Sequence, residues 1–251
     1  RVQVIRGHGT VAINATDFFY NNPPVIWFSD GSSLEGNQYV ELKSIYPPYD
    51  AAKIQAWDWT DVDIRKESQG ERKESNSIQA RVIRELSTCE YHMIVDDDGK
   101  GEAADIVTIR LVGDLSSPSR IDVEFYHCKY SQKSSPGRRI KDLYEVCGQA
   151  QKSISWMSSP EKRTDLFTHL MRREACRQEA GASSRYEVGD GELLLTIREM
   201  SRLCPMSLKV YIVQPGVSKA NATHDQLELI SVTENYLMET FQLGFGVITS
   251  E

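Results

Sequence analysis

Two β-branched runs, ADIVTIRLV at 104–112 and IDVEFYHCKY at 121–130, do most to limit the folds open to this chain. Runs of this kind pleat well against a buried surface, and here they sit between segments of helical period. Before them, Ile78, Val82 and Leu86 recur at helical spacing, with Asn76 or Ser77 placed to cap the helix. YHMIV (91–95) then reads as a strand that ends in the acidic, glycine-containing turn DDDGKGE. After the two runs, the loop SQKSSPGRR leads into a stripe of Ile140, Leu143, Cys147, Ala150 and Ile154, which predicts a helix over 140–156. Further helices are expected at 160–179, 190–202 and 224–241. Strands are expected at 208–213, stopped by Gln214-Pro215-Gly216, and at 245–249. The resulting order predicts an α/β (α+β) fold, a mixed central sheet flanked by helices.

The N-terminal stretch has a different texture. PVIWFSDG and NQYVELK are short β-rich runs around the turn-forming SDGSSLEGN, and KESQGERKESNS is almost wholly polar. We therefore expect a small β-rich segment at 1–65, a polar linker at 66–76 and the main domain at 77–251. The chain starts with Arg1 rather than Met, which predicts a piece of a longer polypeptide, and its first residues do not form a signal peptide. No run of about 18 apolar residues exists to span a membrane. The five cysteines form no C-x-x-C pair, and their spacing suggests reduced thiols in a cytoplasmic protein. Glycine motifs of nucleotide-binding folds and the G-x-S-x-G of serine hydrolases are absent from the sequence.

Chemistry concentrates around the two β runs. Asp105 opens the first, and the second ends in His127-Cys128-Lys129. Alternation puts His127 and Lys129 on one face with Val123 and Phe125, and Asp122, Glu124, Tyr126 and Cys128 on the other. If the two strands form an antiparallel hairpin, Asp105 and Lys129 converge at one sheet edge, and Glu85 on the preceding helix borders the same place. A divalent ion held by Asp105, His127 and Glu85 would suit phosphodiester cleavage, with Lys129 as a fixed positive charge. Each residue also has a structural use: Asp105 as a turn cap, Lys129 snorkelling from a strand end, His127 in the core and Glu85 in solvent. Asp96-Asp97-Asp98-Gly99 fails as a calcium loop because Ile94 would occupy its first ligand position. It reads instead as a solvated turn, or one that helps attract metal.

Charge is uneven. The net charge of −7 hides a segment, Arg120 to Arg177, with twelve basic and seven acidic residues, a local +5. Lys133, Arg138, Arg139 and Lys152 follow Lys129 and are expected to meet a DNA backbone, and Arg172, Arg173 and Arg177 cluster on a later helix.

SIQARVIREL, GEAADIVTI, YHCKYS and DLYEVCGQAQKS together resemble the core of the PD-(D/E)xK nuclease superfamily. Over a longer span, AWDWTDVDIRKESQG, IVQPGVSKA and TENYLMET look like the C-terminal region of large bacterial DEAD/DEAH helicase-type proteins of restriction and phage defence. More loosely, the chain is similar to the double-stranded-DNA effector nucleases of bacterial signalling-based immunity. The resemblance implies a restriction-endonuclease-like αβββαβ core, Mg²⁺ or Mn²⁺ as cofactor, and double-stranded DNA as substrate. It also implies a bacterial cytoplasmic location and association with a helicase or ATPase portion, with oligomeric state left open. A glutamine on the helix after the third strand, Gln149 in preference to Gln151, would stand near the metal-bound water. His127 replaces the usual acid, so the alternative is a catalytically silent DNA-binding or interaction module of a helicase-like protein.

Overall fold

The computed structural model describes residues 1–6, 9–28, 32–41, 47–157 and 159–251. It divides into two compact units, Arg1–Tyr46 and Pro47–Glu251. In the first, β1 (Val2–Arg6) and β2 (Gly9–Ile13) pair antiparallel, with Val2 opposite Ile13. Helix α1 (Ala15–Asn21) is capped by Asn14, whose side chain accepts from Thr16 N at 3.0 Å. β3 (Val25–Trp27), β4 (Ser33–Glu35) and β5 (Gln38–Val40) form an antiparallel sheet. The β4–β5 reversal passes through Gly36, whose φ of +59° suits glycine. Ser29, Asp30 and Gly31 of the expected hairpin turn, and Leu42 and Lys43 of its second run, lie outside the described residues.

The second unit is a mixed α/β structure around a seven-stranded sheet. β7 (Met93–Asp96), β8 (Ile106–Asp114) and β9 (Ser117–Cys128) run antiparallel in sequence, with Ile106 opposite Tyr126 and Ile109 opposite Val123. β11 (Met206–Ser218) pairs parallel with β9, β12 (Gly244–Ser250) parallel with β11, and β6 (Gln55–Trp57) parallel with β12. β10 (Tyr186–Val188) closes the opposite edge beside β7, so the order is β10-β7-β8-β9-β11-β12-β6. The inner strands carry buried side chains on both faces, because helices cover both. Helix α2 (Ile78–Leu86), capped by Ser77, lays Ile78, Val82 and Leu86 against Ile94, Ile106, Tyr126 and Cys128. On the other face, α3 (Lys141–Lys152), α4 (Pro160–Glu179), α5 (Gly191–Met200) and α6 (His224–Phe241) bury Leu143, Phe167, Ile197 and Ile230 with Val123 and Phe125.

Three expectations change. The chain divides near residue 46, not at 66–76, because residues 47–65 pack into the second unit: β6 is the sheet's edge strand, Tyr49, Ile54, Trp59 and Ile64 are in that unit's core, and Trp59 donates to Thr249 O at 3.1 Å. The polar stretch 66–76 is not a linker. Its backbone is bonded into the unit through Ile78 N to Lys66 O (2.9 Å), Gln79 N to Glu67 O (3.1 Å) and Asp63 N to Asn76 O (2.9 Å), and Gln69 is buried. Its hydrophilic letters serve internal hydrogen bonds, which sequence polarity alone reads as solvation. Finally, β11 continues through Gln214-Pro215-Gly216 to Ser218. The register shifts there, and the Gln214 side chain accepts from Gly216 N at 2.7 Å, so the ladder bond that proline cannot donate is bypassed.

Candidate metal centre

The turn between β7 and β8 is the frame of the site. Asp97 is fully buried: it accepts from Ala103 N at 2.8 Å and pairs with the Arg173 guanidinium from α4. Arg173 also donates to the carbonyls of Asp97 (2.6 Å), Lys100 (2.8 Å) and Asp98 (3.1 Å), and Arg185 to those of Asp96 (2.9 Å) and Asp98 (3.0 Å). Gly99 and Gly101, with φ of +114° and +85°, supply the backbone reversal. The acidic turn is therefore locked by two arginines rather than solvated, since a buried carboxylate must find a charged or hydrogen-bonding partner.

The locked turn presents Asp98 and Glu102 to Asp105. Carboxylate oxygens of the three lie within 4.8 Å of one another. Asp105 is 1% exposed and held at both oxygens, one accepting from Cys128 N on β9 and one from Gln79 Nε2 on α2, each at 2.9 Å. Burial above all, then the charges of Glu102, Glu67 and Asp98, push its carboxyl well above the usual range against the Cys128 hydrogen bond. Glu102 is likewise raised, by burial and then by Asp98 and Asp97. Three carboxylates this close could hold a hard divalent ion, which takes oxygen donors.

Gln79 does double duty. Its Oε1 accepts from Gln69 N at 3.1 Å while Nε2 holds Asp105, so one helical side chain ties the 66–76 stretch to the acid cluster. Ser68 donates to Asp98, and Gln69 Nε2 donates to Asp96 at 3.0 Å. Lys129, just past β9, reaches Glu145 Oε1 at 2.8 Å and Glu67 Oε2 at 3.2 Å. Burial depresses its pKa, but Glu145 and Glu67 more than offset this and leave it raised, so the ammonium is charged.

His127, two residues before Lys129, is hydrogen-bonded through Nε2 to Ser153 Oγ at 2.7 Å. Its Nδ1 and the Gln149 Oε1 are buried without a partner. Both residues, with Glu102, Lys152, Ser153 and Trp156, line a cavity of about 430 Å³. Gln149 faces this space, whereas Gln151 turns away to Thr233 Oγ1 at 3.2 Å. Burial pushes the His127 pKa down to about 3. With the folded value below the unfolded one of about 6.5, neutral His127 supports stability above pH 6.5, and that support is lost as pH falls toward 3, at about 1.4 kcal/mol per pH unit. We expect wild type to lose about 2 kcal/mol more than His127→Gln between about pH 6.5 and pH 5. Urea unfolding at both pH values checks this, and equal losses would refute it.

Thus Asp105, Lys129, His127, Gln149 and Lys152 gather at one end of the sheet, but the metal donor set differs from the sequence expectation. Among the described residues, Asp105 is grouped with Asp98 and Glu102, not with His127 and Glu85. Glu85 sits near the far end of α2, paired with Arg81 at 2.6 Å, and lines a separate depression with Asp58 and Arg84. Gln79, nearer the helix start, takes the place at Asp105. Arg139 is not a free phosphate contact: it donates to Asp142 at 3.0 Å, Ser131 Oγ at 2.8 Å and Ser135 O at 3.0 Å, bracing the loop before α3. Lys133 and Arg138 are exposed. Sequence reasoning missed Glu67, Gln79 and Glu102 as site residues and named Asp98 only within a turn that is solvated or helps attract metal. The only signal for grouping Asp98 and Glu102 with Asp105 was the spacing Asp98-x3-Glu102-x2-Asp105 across a glycine turn.

No family model matches the chain, and no curated protein or solved structure matches it significantly. Function therefore rests on the geometry of this site. The described residues include no helix long and apolar enough to cross a membrane.

Proposed function

We propose that this chain is a divalent-metal-dependent DNA endonuclease domain that hydrolyses phosphodiester bonds, within a restriction or anti-phage helicase–nuclease. The observation that carries the reading is the convergence of Asp98, Glu102 and Asp105 within 4.8 Å, in the turn that leads into β8, whose neighbour β9 is followed directly by Lys129. The succession α2, β7, β8, β9, α3, followed after α4, β10 and α5 by β11 parallel to β9, supports a restriction-endonuclease-like core with an insertion before its last strand. All-oxygen donors fit Mg²⁺ or Mn²⁺, and a cation would offset the burial, and after it the mutual repulsion, that raise Asp105 and Glu102. Such an ion would lower the pKa of a bound water and neutralise charge on the phosphate.

The chain's own groups complete the arrangement. Lys129 holds a positive charge beside the cluster. Glu145, whose side chain is 61% exposed, can swing away and free one side of the ammonium for a phosphate oxygen. The unpartnered Gln149 Oε1 and His127 Nδ1 supply acceptors in the cavity that Glu102 also lines, and a water there has protons to give them. Lys152 at the cavity wall and the exposed Lys133 and Arg138 fit non-specific contact with a duplex backbone.

A second reading is a silent nuclease-like module that binds DNA or a helicase portion. It is favoured by His127, which is neutral and stands where the resemblance calls for an acid. One experiment separates the two: plasmid DNA is incubated with the protein and Mg²⁺ or Mn²⁺, beside Asp105→Ala and Lys129→Ala. Nicking that falls at least about a hundredfold in both variants supports the nuclease. Salt-sensitive DNA binding without cleavage under either ion supports the silent module, and equal nicking by all three proteins removes the proposed site.

A further inference from the structure

On the outer side of the acidic turn, α4 and the approach to β10 enclose a second cavity, of about 330 Å³, that is lined by Arg172, Arg173, Arg177 and Arg185 with Glu71 and Cys176. We propose that this arginine cavity is an anion site that takes a phosphate group, separate from the phosphate that would be cleaved at Asp105.

Four guanidinium groups share one depression, and their charge is poorly matched. Only Arg173 has a carboxylate partner, Asp97. The hydrogen bonds of Arg185 end on the carbonyls of Asp96 and Asp98, and that of Arg177 on Ser183 O at 2.8 Å. Carbonyls satisfy N–H geometry but do not cancel charge. Beyond these bonds, Arg177 Nη2 and Arg185 Nε are buried without a partner, and a buried unmet donor costs about 1–3 kcal/mol. Three carboxylates, the buried Asp96 and Asp97 and Glu71 at the rim, stand against four cations.

An oxyanion with several acceptor oxygens answers both deficits. Phosphate matches the guanidinium fork in two-point hydrogen bonding and carries more charge than a carboxylate. The cavity is also open enough for the phosphate to arrive esterified. Two sources share this chemistry, the backbone of a nucleic acid and a free phosphorylated compound. Arg172 is exposed at the cavity mouth, so it can meet either.

The test titrates the full chain with inorganic phosphate by calorimetry in EDTA, where no divalent ion can offer phosphate another site. A parallel arm measures binding of a labelled DNA duplex with and without phosphate as competitor. The proteins compared are wild type, Arg172→Ala/Arg177→Ala and Arg177→Lys, with circular dichroism to establish folding; if the double variant does not fold, the exposed Arg172→Ala is read in its place. We expect saturable phosphate binding by wild type, weakened at least about tenfold in the double variant, the loss of one charge-assisted hydrogen bond, and weakened in Arg177→Lys because the fork is gone. If phosphate displaces the duplex and the double variant weakens both, the site belongs to a nucleic-acid backbone. If duplex binding is unmoved while phosphate binding falls, the ligand is a free phosphorylated compound. Absence of saturable phosphate binding by wild type, or equal affinity in wild type and variants, would overturn the proposal. Because EDTA is present throughout, this result is independent of whether the acid cluster binds metal or cuts DNA.

Discussion

Asp105→Asn is expected to abolish the stabilisation that Mn²⁺ or Mg²⁺ would confer through the proposed acid cluster. With the ion at about a hundred times its dissociation constant, wild type gains about 2.7 kcal/mol of unfolding free energy, and the variant gains almost none. The metal-free proteins are expected to rank the other way at high pH. The folded pKa of Asp105 lies above its unfolded value, mainly through burial and then through Glu102. A group shifted in this direction contributes stability that is fully present below the unfolded pKa and is lost as pH rises through the folded one. Metal-free wild type therefore loses more stability than Asp105→Asn as pH rises from about 4, the unfolded value, toward the folded one, a difference read between about pH 4 and pH 8. Asparagine keeps an acceptor for Cys128 N, so the backbone tie at β9 survives. Thermal melts with and without metal at both pH values read all four quantities. A metal response that is the same in variant and wild type would remove Asp105 from the donor set.

Asp97→Ala carries the largest expected cost to stability itself. The carboxylate is fully buried between Arg173 and Ala103 N, with His169 Nε2 at 3.8 Å. Removing one member of a buried pair strands the other, a loss of about 3–5 kcal/mol. For a unit of this size that corresponds to a fall in Tm of about 6–20 °C. The physical claim is specific to the pair, so a double variant, Asp97→Ala/Arg173→Met, is expected to be more stable than Asp97→Ala alone, because no uncompensated guanidinium remains. A double variant that adds the two losses would show that the coupling is absent. Since Arg173 also grips the carbonyls of Asp97, Asp98 and Lys100, both variants are expected to weaken metal binding through the turn that carries Asp98 and Glu102.

How a site becomes legible depends on the range of the forces that build it. Asp105 and Lys129 could be paired from the sequence because strand alternation and hairpin adjacency are local rules, and Ile106 opposite Tyr126 in the structure places them where those rules imply. Glu85 and Gln79 show the limit. Both lie on α2, but which of them reaches the sheet depends on where along its axis the helix crosses the strand ends, and that is decided by packing of Ile78, Val82 and Leu86. The stretch 66–76 shows it again. Serine, glutamine and glutamate read as solvated when neighbours are unknown, yet Ser68, Gln69 and Glu67 fold back onto Asp98, Asp96 and Lys129.

By itself, the sequence determined the alternation of helices and strands, the two buried β runs and the acid and lysine at their ends. Those features follow from periodicities of two and 3.6 residues that act within a few positions along the chain. Only the tertiary structure decided that Asp98, Glu102 and Asp105 bring their carboxylates together, that Lys129 rests between Glu67 and Glu145, and that four arginines meet behind the acidic turn. Lys129 meets residues distant in sequence, whereas the three acids share one turn and the arginines lie on α4 and just after it. Their distances are set by how helices seat on the sheet and by which buried charges must find partners, and neither condition leaves a local mark in the order of the residues.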